Sequence, residues 1–189
     1  MVNKIVITNE KGGTGKSTVA ALLVEYLNYK KQKVQLIDTD PLQTSQTWAN
    51  NCQMVGRQVS LLPADYQIID TAGSSGSALG WIRQADLIVV PFQAHYPDLK
   101  VVCDWFSTLH PNLQQKIILL PNRWQNTKEQ REGLGQLQVI IKNTGAFLLP
   151  PLNNRPALYG TLLNGGKVNF FTNKQPEAEN LLQLLLSKL

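Results

Sequence analysis

Residues 11–18 read Lys-Gly-Gly-Thr-Gly-Lys-Ser-Thr, between a short apolar segment and a stretch whose apolar residues recur at helical spacing. The three glycines let backbone N–H groups converge on phosphate oxygens. Lys16 adds a positive charge for the β- and γ-phosphates, and the Ser17 hydroxyl is a Mg²⁺ ligand in this pattern. The octapeptide therefore predicts a phosphate-binding loop, and its flanking segments predict a strand before it and a helix after it.

The loop departs from the standard pattern in two places. Glu10 stands where that pattern has glycine, and Lys11 is a second lysine. In both respects the loop resembles that of the deviant Walker ATPases of the ParA and MinD superfamily. The resemblance implies that ATP and Mg²⁺ bind here, and that Lys11 completes the nucleotide site of a partner subunit in a homodimer.

Two further segments occur in the order that an ATPase needs. Residues 34–37 form an apolar run that ends in Asp38-Thr39-Asp40, and residues 66–69 form another that ends in Asp70. Ligands of open α/β sheets bind at the carboxyl ends of the strands. We expect Lys11, Lys16 and Asp40 to be catalytic, with Asp40 orienting the attacking water. We expect Ser17, Asp38 and Asp70 to form the Mg²⁺ site. Asp38 would either support the ligand shell of the metal or couple the metal to the switch segment, which follows Asp70.

The resemblance continues along most of the chain. Asp70 stands in the position of the family's Walker B aspartate. Residues 90–93 resemble the family's strand that follows it, residues 121–123 the adenine-side loop, and residues 149–151 the end of the last strand. Thr71-Ala72-Gly73 departs from the Thr-Pro-Pro that often follows that aspartate. The cofactor-binding residues expected from the resemblance are Lys11, Gly12, Gly13, Thr14, Gly15, Lys16, Ser17, Thr18, Asn122, Arg123 and Pro150.

Apolar runs alternate with helical patterns throughout the 189 residues. Strands are predicted near 4–8, 34–38, 58–62, 66–70, 87–92, 116–120 and 146–149. Helices are predicted near 16–30, 43–53, 76–84, 98–109, 127–142, 156–164 and 176–188. Only three residues separate 58–62 from 66–70, so one of these is an antiparallel edge strand or no strand. We expect an α/β single-domain P-loop NTPase over residues 1–189, with a mostly parallel, helix-covered twisted sheet.

The net charge of +5 is unevenly distributed along the sequence. Through Asp98 there are eight basic and eight acidic residues, and from Leu99 onward there are ten basic and five acidic. A basic surface is typical of contacts with DNA phosphates, although a charge of this size is equally typical of a plain solvated surface. The candidates for DNA contacts are Lys128, Arg131, Lys142, Arg155, Lys167 and Lys174.

The resemblance implies a slow ATPase whose ATP-bound dimer binds double-stranded nucleoid DNA without sequence preference. A cargo-bound adaptor protein would stimulate hydrolysis, and the cargo would be a plasmid or a protein compartment such as the carboxysome. Because Met1 directly precedes a strand, we expect a short-form member without a separate operator-binding domain. No segment approaches the roughly 18 apolar residues of a membrane span, so we expect a cytoplasmic, nucleoid-associated protein.

Three other readings remain open from the sequence. A MinD-like ATPase that cycles on membranes needs a basic amphipathic C-terminal helix, but residues 176–189 carry one cation, Lys188. An iron–sulfur protein like the nitrogenase iron protein needs cysteines after a switch strand, whereas Cys52 and Cys103 lie in predicted helices. A metabolic P-loop ligase or kinase, resembling dethiobiotin synthetase, would leave Lys11 without its role in a dimer.

Overall fold

The computed structural model describes residues 2–73, 75–166, 168 and 176–189. The strands are β1 (Asn3–Ile7), β2 (Val34–Asp38), β3 (Tyr66–Asp70), β4 (Leu87–Phe92), β5 (Ile117–Pro121) and β6 (Phe147–Leu148). The helices are α1 (Lys16–Tyr29), α2 (Thr44–Met54), α3 (Ser75–Gln84), α4 (Tyr96–Ser107), α5 (Pro111–Gln114), α6 (Lys128–Ile141), α7 (Pro156–Leu163) and α8 (Pro176–Leu186). The predicted alternation is confirmed, and the short helix α5 is an addition to it.

The six strands form one sheet in the order β2-β3-β1-β4-β5-β6, and every pairing between them is parallel. All strands therefore begin at one edge, here called the amino edge, and end at the other, the carboxyl edge. The chain passes from β1 to its left neighbours and then to its right neighbours. The carboxyl end of β1 is consequently a topological switch point, where such sheets bind ligands.

Helices cover both faces of the sheet, as a parallel sheet requires. Successive side chains of a strand point to opposite faces. Ile5 and Ile7 of β1 belong to the core under α1, α2, α7 and α8, whereas Val6 belongs to the core under α3, α4 and α6. The predicted α/β P-loop NTPase class is therefore confirmed, and the sheet is wholly parallel.

Residues 58–62 do not form a strand of this sheet. They run antiparallel beside β2, where the Leu61 N–H donates to the Val34 carbonyl at 2.8 Å and the Leu36 N–H donates to the Ser60 hydroxyl at 3.0 Å. A side-chain acceptor takes the place of one ladder carbonyl, and Pro63 has no N–H to extend a ladder. The open alternative is thus settled as an irregular segment that covers the edge strand.

Candidate functional site

The phosphate loop lies between β1 and α1 at the carboxyl edge. Gly13 and Gly15 have φ angles of 73° and 94°, which glycine adopts without steric cost. The Asn122 side chain, directly after β5, donates from Nδ2 to the Thr14 carbonyl at 2.8 Å. A Cβ atom at Gly15 would overlap that Asn122 nitrogen. Asn122, which is 108 positions away from Thr14 in the sequence, therefore holds the loop in its phosphate-binding conformation.

Lys16 begins α1 and is 7% exposed. Its Nζ donates to the Lys11 carbonyl at 3.2 Å. Burial lowers the pKa of this ammonium, and the nearby carboxylates of Asp70 and Asp40 oppose that effect. Lys16 thus presents a partly desolvated cation at the mouth of the loop, where a phosphate group would strengthen its charged form.

Asp70 ends β3 at the carboxyl edge and is fully buried. Burial raises the pKa of its carboxyl to about 6, although the Ser17 and Ser45 hydroxyls lie near and oppose the rise. Neither carboxylate oxygen makes a hydrogen bond of standard geometry with the described residues. A buried carboxyl group with two open oxygens beside a serine hydroxyl suits Mg²⁺, which prefers such oxygen ligands.

Asp38 and Asp40 form the turn between β2 and α2. The Asp38 carboxylate accepts the Asp40 N–H at 2.9 Å, the Ser45 hydroxyl at 2.8 Å and the Gln46 N–H at 3.0 Å. One Asp40 oxygen accepts the Leu42 N–H at 2.9 Å. Asp38 therefore acts as a cap that ties the first turn of α2 to the end of β2. Asp40 borders the cavity in front of the phosphate loop.

Two adjoining cavities open at this edge. The first has a volume of about 460 Å³ and includes residues 12, 13 and 15–18 of the loop. The second has a volume of about 390 Å³ and lies between Asn122 and the N-terminal half of α7. Thr18, Arg123 and Leu163 border both. The pair has the dimensions of a nucleotide site, with the phosphates in the first cavity and the base in the second.

Lys11 lies at the rim of the loop, and its side chain is 41% exposed. Its Nζ forms an ion pair with Asp98 in the first turn of α4, and that carboxylate is 5% exposed. The second Asp98 oxygen accepts the Gln93 N–H at 3.4 Å. In this structure Lys11 is thus bound to a residue of its own chain.

The remaining predicted residues are distributed over the molecule. Pro150 is exposed directly after β6, apart from the residues that border the two cavities. Lys128 and Arg131 lie in the first turn of α6 at the carboxyl edge, whereas Lys142 follows α6 at the amino edge. Arg155 borders the second cavity. Lys167 and Lys174 lie outside the described residues. Of the other four DNA candidates, three lie at the carboxyl edge and Lys142 lies at the opposite edge.

Several residues that border the site were missed from the sequence. Asp98 and the pair Asn153 and Asn154 were not singled out, nor was Tyr159 of α7. Polar residues at 153–155 follow the end of the last strand, and that position alone could have indicated the carboxyl edge. Asp98 carries no such signal, because its partner is 87 positions away.

The described residues provide neither the cysteine pair of an iron–sulfur cluster nor a helix that could span a membrane. Cys52 is buried in α2 on one face of the sheet, and Cys103 lies in α4 on the other face. The two thiols therefore cannot bind one cluster within a subunit. In the described ranges, no helix has both the length and the apolar character of a bilayer span.

The chain is similar to proteins of one nucleotide-binding family. The family described as the CobQ/CobB/MinD/ParA nucleotide binding domain matches residues 5–165. Protein ParA of Rhizobium radiobacter is 23% identical over 195 residues, which cover 90% of this chain and 87% of that protein. A putative plasmid partition protein of Borrelia burgdorferi bound to AMPPNP has a TM-score of 0.74 at 18% identity, with 100% of both chains covered. An ATP complex of Cyanothece McdA has a TM-score of 0.77 at 15% identity, with 99% of this chain and 96% of that chain covered.

Proposed function

The chain belongs to the CobQ/CobB/MinD/ParA nucleotide-binding family, and from that premise we propose that it is a ParA-type ATPase. In this proposal residues 1–189 act as one ATPase domain that forms a sandwich dimer with ATP, binds nucleoid DNA without sequence preference and positions a cargo. The observation that carries the proposal is that Lys16 and Asp40 border one loop-lined cavity, with the buried Asp70 carboxyl close enough to act on the Lys16 charge.

Each residue of the site has a limited role, because phosphoryl transfer asks mainly for positioning and charge stabilisation. Lys16 and the N–H groups of residues 12–18 hold the phosphates. Ser17 and Asp70 hold Mg²⁺, which when bound neutralises charge on the β- and γ-phosphates. Asp40 orients the attacking water. Asp38 couples the site to α2, because its carboxylate already holds the first turn of that helix.

Thr18 and the Asn122–Arg123 turn hold the base and ribose, together with Asn153, Asn154 and Tyr159, which the sequence did not indicate. Asn122 acts through the loop, since its side chain donates to Thr14. The position of Pro150 outside both cavities gives no support to its expected contact with the nucleotide.

Lys11 completes the partner's site in the dimer. To do so it must leave Asp98, so that the ion pair within the chain competes with the contact between subunits. Breaking this pair leaves the nearly buried Asp98 carboxylate without its cation, and an unpaired buried charge is energetically unfavourable. We expect Asp98→Asn to dimerise at lower ATP concentration than the wild type, and Lys11→Ala to bind ATP and remain monomeric.

Hydrolysis is slow in this proposal, because its product is a timed change from dimer to monomer. An adaptor protein on the cargo stimulates it, and the cargo is a plasmid or a protein compartment such as the carboxysome. The protein is then cytoplasmic and associated with the nucleoid. The fold shared with a putative plasmid partition protein supports the plasmid as the first cargo to test.

Binding to random duplex DNA with ATP, ADP or no nucleotide tests the proposal, with light scattering on the same samples. We expect an ATP-dependent dimer whose DNA affinity falls steeply with salt, because phosphate contacts release counterions. A monomer that turns over ATP only with a metabolite would contradict the proposal and favour a ligase or kinase. ATP-dependent binding to liposomes without DNA binding would favour a membrane-cycling ATPase.

A further inference from the structure

The amino edge of the sheet, opposite the nucleotide cavities, concentrates positive charge. Within the described ranges, eight cations lie where strands begin or where helices end at this edge. They come from both halves of the sequence and from six different elements or connections. These amino-edge cations are Lys4, Lys30, Lys31, Lys33, Arg83, Lys116, Lys142 and Lys188.

The acidic residues of this edge are fewer. Among the described residues they number five, namely Asp65, Asp86 and Glu179 together with Asp104 in the last turn of α4 and Glu177 in the first turn of α8. Asp65 and Asp86 accept backbone N–H groups at the starts of β2 and β1, and Glu179 pairs with Lys30 at 3.2 Å. Elsewhere in the described chain eight cations face eight acids. The positive net charge is therefore located at the amino edge.

The dimensions of the edge match the backbone of a nucleic acid duplex. Six parallel strands spaced about 4.8 Å apart extend over roughly 24 Å. This exceeds the roughly 12 Å width of the DNA major groove, so cations near β2 and near β6 can contact phosphates on both sides of a groove. Lys33 and Lys142 are exposed near these two ends.

Lys31 supplies a second observation. It follows α1 in the left-handed conformation, with a φ of 60°. The N–H groups of Lys31 and Gln32 donate to the carbonyls of Asn28 and Leu27, which is the Schellman pattern. Glycine is the usual residue at this position because other residues are strained there. A lysine here costs stability and places its exposed charge at the amino edge.

We propose that the amino-edge cations are the surface through which this protein contacts the phosphate backbone of duplex DNA. The inference rests on the DNA binding in the proposed function, and it assigns that binding to a surface. Lysines that contact phosphates supply affinity without reading base sequence. The surface therefore gives binding that is independent of sequence and sensitive to salt.

An anionic membrane is the other polyanion that such a surface could meet, and the structure favours DNA. A helix that binds a membrane surface must expose an apolar face. In α8 the side chains of Leu181, Leu182 and Leu185 are buried in the core, with at most 3% exposure. This helix therefore has no free apolar face to insert.

The location leaves the nucleotide site free for dimerisation. The amino edge is at the far side of the sheet from the phosphate loop, so DNA bound there leaves the nucleotide and Lys11 accessible. In a dimer joined through the carboxyl edges, the two amino edges lie on opposite outer sides, so each can contact a separate segment of DNA.

Two charge reversals of equal size test the surface. Lys31→Glu/Lys33→Glu changes the amino edge, and Lys128→Glu/Arg131→Glu changes the carboxyl edge by the same net charge. Affinity for a random 40-base-pair duplex is measured with ATP across a salt series. Circular dichroism and ATP-dependent light scattering check that each variant folds and dimerises. The alanine pair Lys31→Ala/Lys33→Ala provides the change in salt slope.

We expect the amino-edge reversal to weaken DNA binding at least tenfold while ATP-dependent dimerisation persists, and the carboxyl-edge pair to stay within about twofold of wild type. Each lysine removed in the alanine pair should reduce the salt slope by about one. Loss of binding only in the carboxyl-edge pair would overturn the assigned surface alone. Binding of wild type to anionic phosphatidylserine vesicles in place of DNA, or to neither, would overturn both the surface and the DNA function.

Discussion

The two edges of this sheet use lysine in opposite ways. At the carboxyl edge, Lys16 is buried among carboxylates, and burial lowers its pKa. At the amino edge, Lys30 is exposed, and its hydrogen bond to Glu179 raises its pKa. A desolvated, fixed cation selects one phosphate group in one position, whereas exposed cations on mobile side chains attract phosphates in general. Burial thus distinguishes a specific anion site from a general one on the same protein.

Glycine substitutions should give the largest difference between the edges. Gly15→Ala forces a Cβ into the Asn122 nitrogen at a φ of 94°, so we expect ATP binding to be lost. Gly145→Ala at the amino edge also has a positive φ, of 80°, but its Cβ would meet the side chain of exposed Gln115 at 2.8 Å. We expect it to cost about 1 kcal/mol and to bind ATP normally.

Titration calorimetry with ATP and urea unfolding of both glycine variants provide the measurements. Gly145→Ala controls for the combined strain of a positive φ and a local steric contact away from the phosphate loop. Near-normal ATP affinity in Gly15→Ala would mean that the loop and the Asn122 turn separate easily, and that their hydrogen bond does not fix the loop.

Substitutions of carboxylates at the two edges should give the second largest difference, in the pH dependence of stability. The folded-state pKa of Asp70 is raised from 3.8 to about 6, so the folded protein holds this proton more tightly than the unfolded chain. As pH rises from about 4 to 6, the unfolded chain ionises first and stability falls, by up to about 3 kcal/mol, with no further change above that window. Asp70→Asn should remove this decrease in nucleotide-free protein.

Urea unfolding at pH 4.5, 6 and 7.5 checks this prediction. Asp86→Asn is the matched change at the amino edge, where the carboxylate is exposed and caps the start of β1. We expect Asp86→Asn to keep the wild-type pH dependence. An unchanged pH dependence in Asp70→Asn would instead show that water reaches the carboxyl group and removes the penalty of burial.

Features formed by contiguous residues could be predicted from the sequence, whereas contacts between distant positions could not. The phosphate loop, α1 and the strand ending in Asp70 are contiguous segments, and each was predicted within a few residues. The contacts of Lys11 with Asp98 and of Asn122 with Thr14 join positions 87 and 108 apart, which no local pattern reveals. Residues 58–62 had the pattern of a strand, but Ser60 and Pro63 replace its ladder bonds.

The distribution of charge in space could not be predicted, for the same reason. Counting along the sequence correctly places the positive excess in the later half. In the fold, Lys4 and Lys33 of the earlier half lie at the same edge as Lys116 and Lys142 of the later half. The parallel topology sorts charges by edge, because every strand start and most helix ends meet at one side of the sheet.

Lysine truncations give a smaller contrast. Lys16→Ala removes charge-assisted contacts to phosphates worth about 1.5–3 kcal/mol, which is a loss of ATP affinity of roughly 10- to 100-fold. Lys33→Ala, at an exposed position, should leave ATP affinity unchanged. Fluorescent-nucleotide titration measures both. Equal losses in the two variants would contradict the functional separation of the edges.

The smallest expected effect concerns Lys31 and separates stability from binding at the amino edge. Lys31→Gly relieves the left-handed strain of about 1–2 kcal/mol and adds roughly 0.5–1 kcal/mol of chain entropy to the unfolded state, so we expect a net gain in stability of at most about 1.5 kcal/mol. Urea unfolding should show this gain while DNA affinity falls, because the substitution removes one exposed charge. A loss of stability would instead mean that the Lys31 side chain stabilises its own fold. A gain in stability together with weaker DNA binding would show that Lys31 contributes to DNA binding and not to the stability of the fold. Lys16 differs in that its side chain is buried and forms part of the site in which it acts.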